Sequence, residues 1–512
     1  MNTPVRNSRR TLMRGSLGAL SLVILIPCLA VAPVQAASEE KPNDFEINAA
    51  VDRKLLYDSS VPGNDIDVGT VNGIVILSGI VPNILAKERA TAIAESIKGV
   101  RSVVNNLTVN AVSRTNRDIR MDVEAALLYD PATDAYEVTP TVHDGVVTLT
   151  GTVDSWQEKN LAASVAKGVR GVTGVTNDIT VVYKAQRPDS EIAADVEGTL
   201  KRDVWVKDRW IHTAVHDGKV TLTGTVGSAA EKSNAYWDAF VANVTSVDYS
   251  GLNVEPWTKD TMKKSTKFAI KSDEAIQKAV TDALIIDPRV FSFNPIVTVS
   301  MGTVTLTGTV DNLKAKRAAE QDANNTAGVL RVKNFLRVRG QSPLPNDKLA
   351  QHVKDALLRD PYTDRYPIIV SALNGVVSLT GTVDSYYEKT HAEDVASRVN
   401  GVMMVNDGLL VNYPAYTYYA WPYTPYFSEP YSYNRPSMYS TWPYISDTVV
   451  KVGIEDELFW SPFVDSNDVH VAMKNGVATL TGSVDSWSEY NAATENAWEG
   501  GARSVINELT IK

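Results

Sequence analysis

One nine-residue phrase is written six times into this chain: GIVILSGIV from Gly73, GVVTLTGTV from Gly145, GKVTLTGTV from Gly218, GTVTLTGTV from Gly302, GVVSLTGTV from Gly375 and GVATLTGSV from Gly476. A recurring internal phrase marks an array of similar small units, so the fold is read per unit and not over all 512 residues.

The second unit illustrates the reading. It opens with IRMDVEAALLYDP, where Ile119, Val123, Ala126 and Leu127 share one helical face and Asp130-Pro131 ends the helix. A hairpin follows, with Asp144-Gly145 at its turn, a dipeptide that accepts the positive φ of a tight two-residue connection. Asn72-Gly73, Asp217-Gly218, Asn374-Gly375 and Asn475-Gly476 repeat it, and only Met301-Gly302 departs. Beyond the turn, Val147, Leu149, Gly151 and Val153 alternate with Thr148, Thr150 and Thr152, which makes one strand face core and the other wet.

Two sets of glycines are therefore structural. Those at the turn are Gly73, Gly145, Gly218, Gly302, Gly375 and Gly476, and those inside the strand are Gly79, Gly151, Gly224, Gly308, Gly381 and Gly482. A glycine on a buried strand face lets another backbone approach. The expected neighbour of Gly151 is a second helix carrying Ala162, Ala163 and Ala166.

That helix opens on a capping box, S-x-x-E, at Ser155/Glu158, Ser228/Glu231, Ser385/Glu388 and Ser486/Glu489. A closing phrase rich in β-formers follows in each unit, for example GVRSVVNNLTV from Gly99 and GVTGVTNDITV from Gly171. The predicted order is α-β-β-α-β, and two helices can cover only one face of a three-stranded sheet. The fold class is thus α+β, six tandem two-layer sandwiches of about 68 residues. Units this small are marginal alone. They either lean on one another or hang as beads on a string.

The helix-DP, the turn glycine with V-x-L-T-G-x-V and the later G-V-x-x-V-x-N-x-x-x-V resemble the BON (bacterial OsmY and nodulation) domain. The resemblance implies a multi-BON, OsmY-like periplasmic protein with six repeats, associated with osmotic or envelope stress, binding phospholipid surfaces and performing no catalysis. Units are expected at 45–112, 117–184, 189–256, 272–339, 346–413 and 445–512.

Residues 1–36 read as a signal peptide cleaved near Ala36, with Arg6, Arg9, Arg10 and Arg14 ahead of an apolar run from Leu17 to Ala32. S-R-R-T-L-M-R also resembles a twin-arginine signal, and both export routes stay open. The single cysteine, Cys28, lies in this leader, so the mature chain has no thiol chemistry. Formal charge is −10, and loss of the four leader arginines takes it to −14, a poor match for nucleic acid.

Two linkers interrupt the array. Residues 257–271 are lysine-rich, with Lys263, Lys264 and Lys267 as candidate headgroup contacts against the alternative of a solvated hinge. Residues 414–444 are rich in tyrosine and proline and include Trp421 and Trp442; they read as an extended spacer or as an interfacial aromatic contact. Trp156, Tyr386 and Trp487 follow the capping serines. They are candidate lipid contacts, weighed against packing on their own hairpins.

No acid-base, nucleophile or phosphate-loop motif is present. Asp154, Asp311, Asp384 and Asp485 suit helix N-termini. His212 and His216 fall on a strand, where i, i+4 spacing separates two rings by about 13 Å, too far to share zinc. The reading assigns no catalytic residue, metal, cofactor, small-molecule substrate or nucleic-acid partner. It favours peripheral phospholipid binding, with a periplasmic protein-binding scaffold or holdase chaperone as the alternative.

Overall fold

The computed structural model describes residues 42–58, 60–133, 137–183, 185–255, 271–290, 293–339, 344–411 and 446–511. The leader with Cys28, the lysines at 263, 264 and 267, and Trp421 and Trp442 lie outside the described residues.

Each unit has the order α-β-β-α-β. In the second unit the first helix spans Asn116–Tyr129, the hairpin Glu137–His143 and Val146–Val153, the second helix Trp156–Lys167 and the last strand Gly174–Val181. The hairpin closes antiparallel with His143 opposite Val146, while the last strand runs parallel to the central one from Val146 opposite Gly174. The central strand is therefore the one bearing the repeated phrase. Its alternation places Val147, Leu149 and Val153 in the core with Ile119, Val123, Leu127, Ala162, Ala166 and Ile179, while Thr150 and Thr152 face solvent.

Three polar devices hold the layers together. Helix one begins with Asp or Asn 29 residues before the turn glycine, and this side chain accepts the turn's amides: Asp44 from Asn72 and Gly73 at 2.6 and 2.7 Å, Asp447 from Asn475 and Gly476 at 2.6 and 2.8 Å. Asp189, Asp273, Asn116 and Asn346 do the same in the other units. The asparagine of the closing phrase stitches strand to helix, Asn105 Nδ2 donating to Lys87 O and Asn177 Nδ2 to Lys159 O at 2.9 and 2.8 Å. At the second helix, Ser155 Oγ accepts the Glu158 amide and the Glu158 carboxylate accepts those of Asp154 and Ser155.

Gly151 corrects one expectation. Its φ is +139°, and a Cβ there would stand 2.0 Å from Glu137 O, on the neighbouring hairpin strand, so the close neighbour is strand backbone and not the alanine helix. The positive φ turns this glycine out of regular strand geometry.

Six hydrophobic clusters form, essentially one per unit. The units do not hang as beads. They pair in reverse order along the chain, first with sixth, second with fifth, third with fourth, through equivalent backbone bonds. The amide just before the closing glycine donates to the last carbonyl of the partner's first helix: Lys98 to Trp460 at 3.0 Å, Arg170 to Arg359 at 2.7 Å, Asn400 to Tyr129 at 3.1 Å and Ala327 to Arg202 at 2.8 Å. Second helices join the first three units, through Lys167 with Glu88, Ser233 with Glu95 and Gln157 with Phe240 O.

Candidate functional site

The three aromatic candidates part company in the structure. Trp156 is half-buried: its indole N–H donates to Val244 O of the third unit and its ring packs on Phe240 at 4.7 Å. It joins two units, neither packing on its own hairpin nor offering a free ring to lipid. Trp487 stacks on Tyr490 of its own helix at 4.6 Å and 5°. Tyr386 opens the corresponding helix of the fifth unit, and its side chain lies outside the described residues.

The repeated aspartates sit ahead of the second helices in separate units. Asp384 accepts the Tyr366 hydroxyl at 3.0 Å, and the backbone amides of Asp154 and Asp485 donate to Glu158 and Glu489, each at 2.7 Å. His216 pairs with its neighbour Asp217 at 3.1 Å on an exposed turn. Asp189, His216 and Asp217 bring ligand atoms within 4.8 Å of one another, but both Asp189 oxygens accept turn amides, as in units with no histidine there. This is the hairpin latch, and it gives no reason to place a metal.

A surface feature not singled out from the sequence recurs instead. The residue after the last buried leucine of helix one is a large apolar side chain left outside: Leu56, Leu128, Ile285, Leu358 and Phe459 are between 44 and 59 % exposed, beside the buried Leu55, Leu127, Leu284, Leu357 and Leu458. The helix turns this position about 100° away from the core. Unit three has Lys201 at that place and folds equally. The signal was in the text, as the dipeptides LL, LL, LI, LL and LF, but periodicity alone reads the second residue as more core. Elsewhere the outer sheet face of unit one carries Ile76 and Ile80 where unit two carries Thr148 and Thr152.

The BON domain family model matches residues 43–111, 115–183, 188–256, 272–340, 345–413 and 446–512. The chain belongs to the BON family. Osmotically-inducible protein Y of Escherichia coli (strain K12) is 33% identical over 144 residues, 27% of this chain and 72% of that protein. Outer membrane lipoprotein DolP of Haemophilus influenzae is 30% identical over 142 residues, again 27% and 72%. CdsD, a structural protein of the Chlamydia trachomatis type III secretion system, is 18% identical, covering 48% of this chain and 99% of the solved one at a TM-score of 0.13.

Charged pairs also cross between BON units. Lys314 of unit four holds Asp130 of unit two at 2.5 Å, both nearly buried; burial lowers the lysine's pKa and Asp130 opposes that shift. Between units one and six, Lys54 lies 2.6 Å from Glu457 and 3.6 Å from Glu499, and Arg53 reaches Asp456 at 2.7 Å. Burial pushes Glu457 up to about 7; Lys54 opposes the shift and Glu499 adds to it. Arg89 spans Asp58, Glu499 and the Tyr387 ring, linking units one, six and five. No helix among the described residues is long and apolar enough to cross a membrane.

Proposed function

We propose that this BON protein is an exported envelope component that binds phospholipid surfaces peripherally under osmotic or envelope stress, acting as a binder and not as a catalyst. The names of its relatives, one osmotically inducible and one an outer-membrane lipoprotein, support that setting, as does the leader-like segment at 1–36.

The observation that carries the reading is the exposed apolar residue at the end of helix one in five of six units. Lys201 shows that folding does not require an apolar side chain there. Burying such a side chain in an acyl boundary contributes about 1.5–3 kcal/mol at full burial, and several together raise avidity by about 10²–10⁴. The chain's net charge of −10 disfavours attraction to anionic headgroups, so binding is driven by shallow apolar insertion.

The test is sedimentation of the intact chain with phosphatidylethanolamine/phosphatidylglycerol vesicles. A variant carrying Gln at Leu56, Leu128, Ile285, Leu358 and Phe459 is expected to lose more than tenfold in apparent affinity with its thermal midpoint retained, and the parent's binding to depend weakly on salt. Unchanged binding of the variant would overturn the reading. A parent that ignores vesicles but suppresses client aggregation would replace it with the holdase.

A further inference from the structure

A crevice of about 480 Å³ between units two, three and four opens into one of about 730 Å³ between units three, four and six, and the two share Asp203, Trp237, Asp238 and Asn325. Volumes of this order suit a small organic ligand. At the junction stands Trp237. Its ring is held by Tyr236 at 4.9 Å and Phe240 at 5.9 Å, yet the residue is 54% exposed. A large indole braced by two other rings and left open toward a cavity is a platform with little conformational entropy to lose on binding.

The polar lining is unusual in kind. Carboxamides converge from four units: Asn160 of unit two, Asn234 of unit three, Gln321 and Asn325 of unit four, and Asn491 of unit six. A carboxamide offers a donor and an acceptor side by side, which matches adjacent hydroxyls better than it matches a charge. Several lining groups are fixed from behind. Gln157 Nε2 donates to Phe240 O at 2.7 Å, Thr199 Oγ1 to Asp238 O at 2.8 Å and Ser488 Oγ to Asn324 O at 3.0 Å.

Electrostatics narrow the ligand class. Arg202, Arg289 and Arg317 are the guanidinium groups of the lining, and each faces a carboxylate: Asp282 at 4.0 Å, Asp287 at 2.6 Å and Glu393 respectively. An anion such as a phosphate headgroup finds Arg289 and Arg317 already paired and only Arg202, whose Asp282 is shared with Lys278 at 2.7 Å, less fully compensated. It also meets the further carboxylates Asp203, Asp238, Glu320 and Glu495. Burial pushes Asp322 well above the ordinary carboxylate range, with the Asp287 carboxylate adding to it, and burial raises Glu495 as well.

We propose that this crevice is a binding site for a neutral oligosaccharide, with the apolar face of one sugar ring stacked on Trp237 and its hydroxyls exchanging hydrogen bonds with the surrounding carboxamides. The site is separate from the end-of-helix residues of the membrane reading and does not depend on it. Because its walls come from four units, it exists only in the assembled array.

Calorimetric titration of the intact chain with maltotriose, cellotriose and chitotriose, with choline chloride and inorganic phosphate as comparisons and a printed array of neutral glycans as the wider panel, tests it. Saturable binding of at least one neutral oligosaccharide is expected, weakened tenfold or more by Trp237→Ala, largely kept by Trp237→Phe, and weakened at least threefold by Asn491→Ala, which lies in a different unit from the tryptophan. Three results would overturn the proposal: no neutral glycan binding anywhere on the array, saturable choline or phosphate binding without any sugar, or a sugar affinity indifferent to both alanine variants. Should circular dichroism show Trp237→Ala misfolded, Asn491→Ala decides alone.

Discussion

The interior of a single unit and the seam between two units are built on opposite plans. Inside, the same apolar positions return each time: Val147 and Leu149 of unit two are Val220 and Leu222 of unit three and Val377 and Leu379 of unit five, all fully buried. At the seams one backbone bond recurs, but the charged side-chain pairs added to it differ, Lys54 with Glu457, Arg170 with Asp364 and Lys314 with Asp130. Asp130 meets a lysine of a distant unit, whereas Asp287 meets Arg289 two residues away. Repetition makes each unit fold, and individuality decides which unit meets which. Non-directional burial can be copied without penalty, while charge pairs supply specificity because a wrong partner leaves a buried charge unmatched.

Removing a seam cation should produce the largest effect. Lys314→Met strands the nearly buried Asp130 and is expected to destabilise the array by about 3–5 kcal/mol in denaturant titration, with Asp130→Asn added in the same chain recovering most of it. If Lys314→Met alone is silent, the seams are not specified by charge. Next comes the interior. Gly151→Ala forces a Cβ to 2.0 Å from Glu137 O at φ +139°, at a cost of about 3 kcal/mol or more. The counterpart Gly308→Ala, whose nearest neighbour lies at 3.8 Å, bears only the torsional strain of about 1–2 kcal/mol. Equal losses would contradict the geometry.

The seam between units one and six should also respond to pH. Glu457 ordinarily titrates near 4.5 and is raised to about 7, so the fold favours its protonated form. That contribution is complete below about 4.5 and disappears as pH rises through 7. Hydrogen exchange in Asp447–Trp460, corrected for intrinsic rates, is expected to show protection weaker by about 1–3 kcal/mol at pH 8 than at pH 5, and Glu457→Gln to flatten the profile. The smallest effect has the opposite sign. Met301 holds φ +48° where other units place Asn or Asp, and Met301→Asn should stabilise unit four by about 0.5–1 kcal/mol, read as a shift in its local unfolding midpoint.

What could be read in advance follows the same division. The central strand, both helices, the turns and the Ser155/Glu158 cap were legible because their causes are local and repeated. Gly151 was assigned to the right strand but the wrong neighbour, because alternation gives a side and not the torsion that turns the backbone toward Glu137. The Asp44-type latch escaped notice although its 29-residue spacing never varies, since it links a helix start to a turn that no short-range pattern connects. Trp156 was judged against its own unit, but its partner Val244 is 88 residues away. The Asp130–Lys314 pair spans 184 residues and occurs once, so no internal repetition could disclose it.

Reverse-order pairing also sets a timetable for assembly. A chain emerging from its amino end presents unit three to unit four soon after both exist, whereas Arg53 must wait through 403 residues for Asp456. The outermost clasp is the last to close and has the largest loop entropy to overcome. Throughout that wait the opening unit, though already held by Lys167 and Ser233 of the next two units, keeps its half of the final seam uncovered, and this interval is when a protease or an intruding neighbour has its best chance at the molecule.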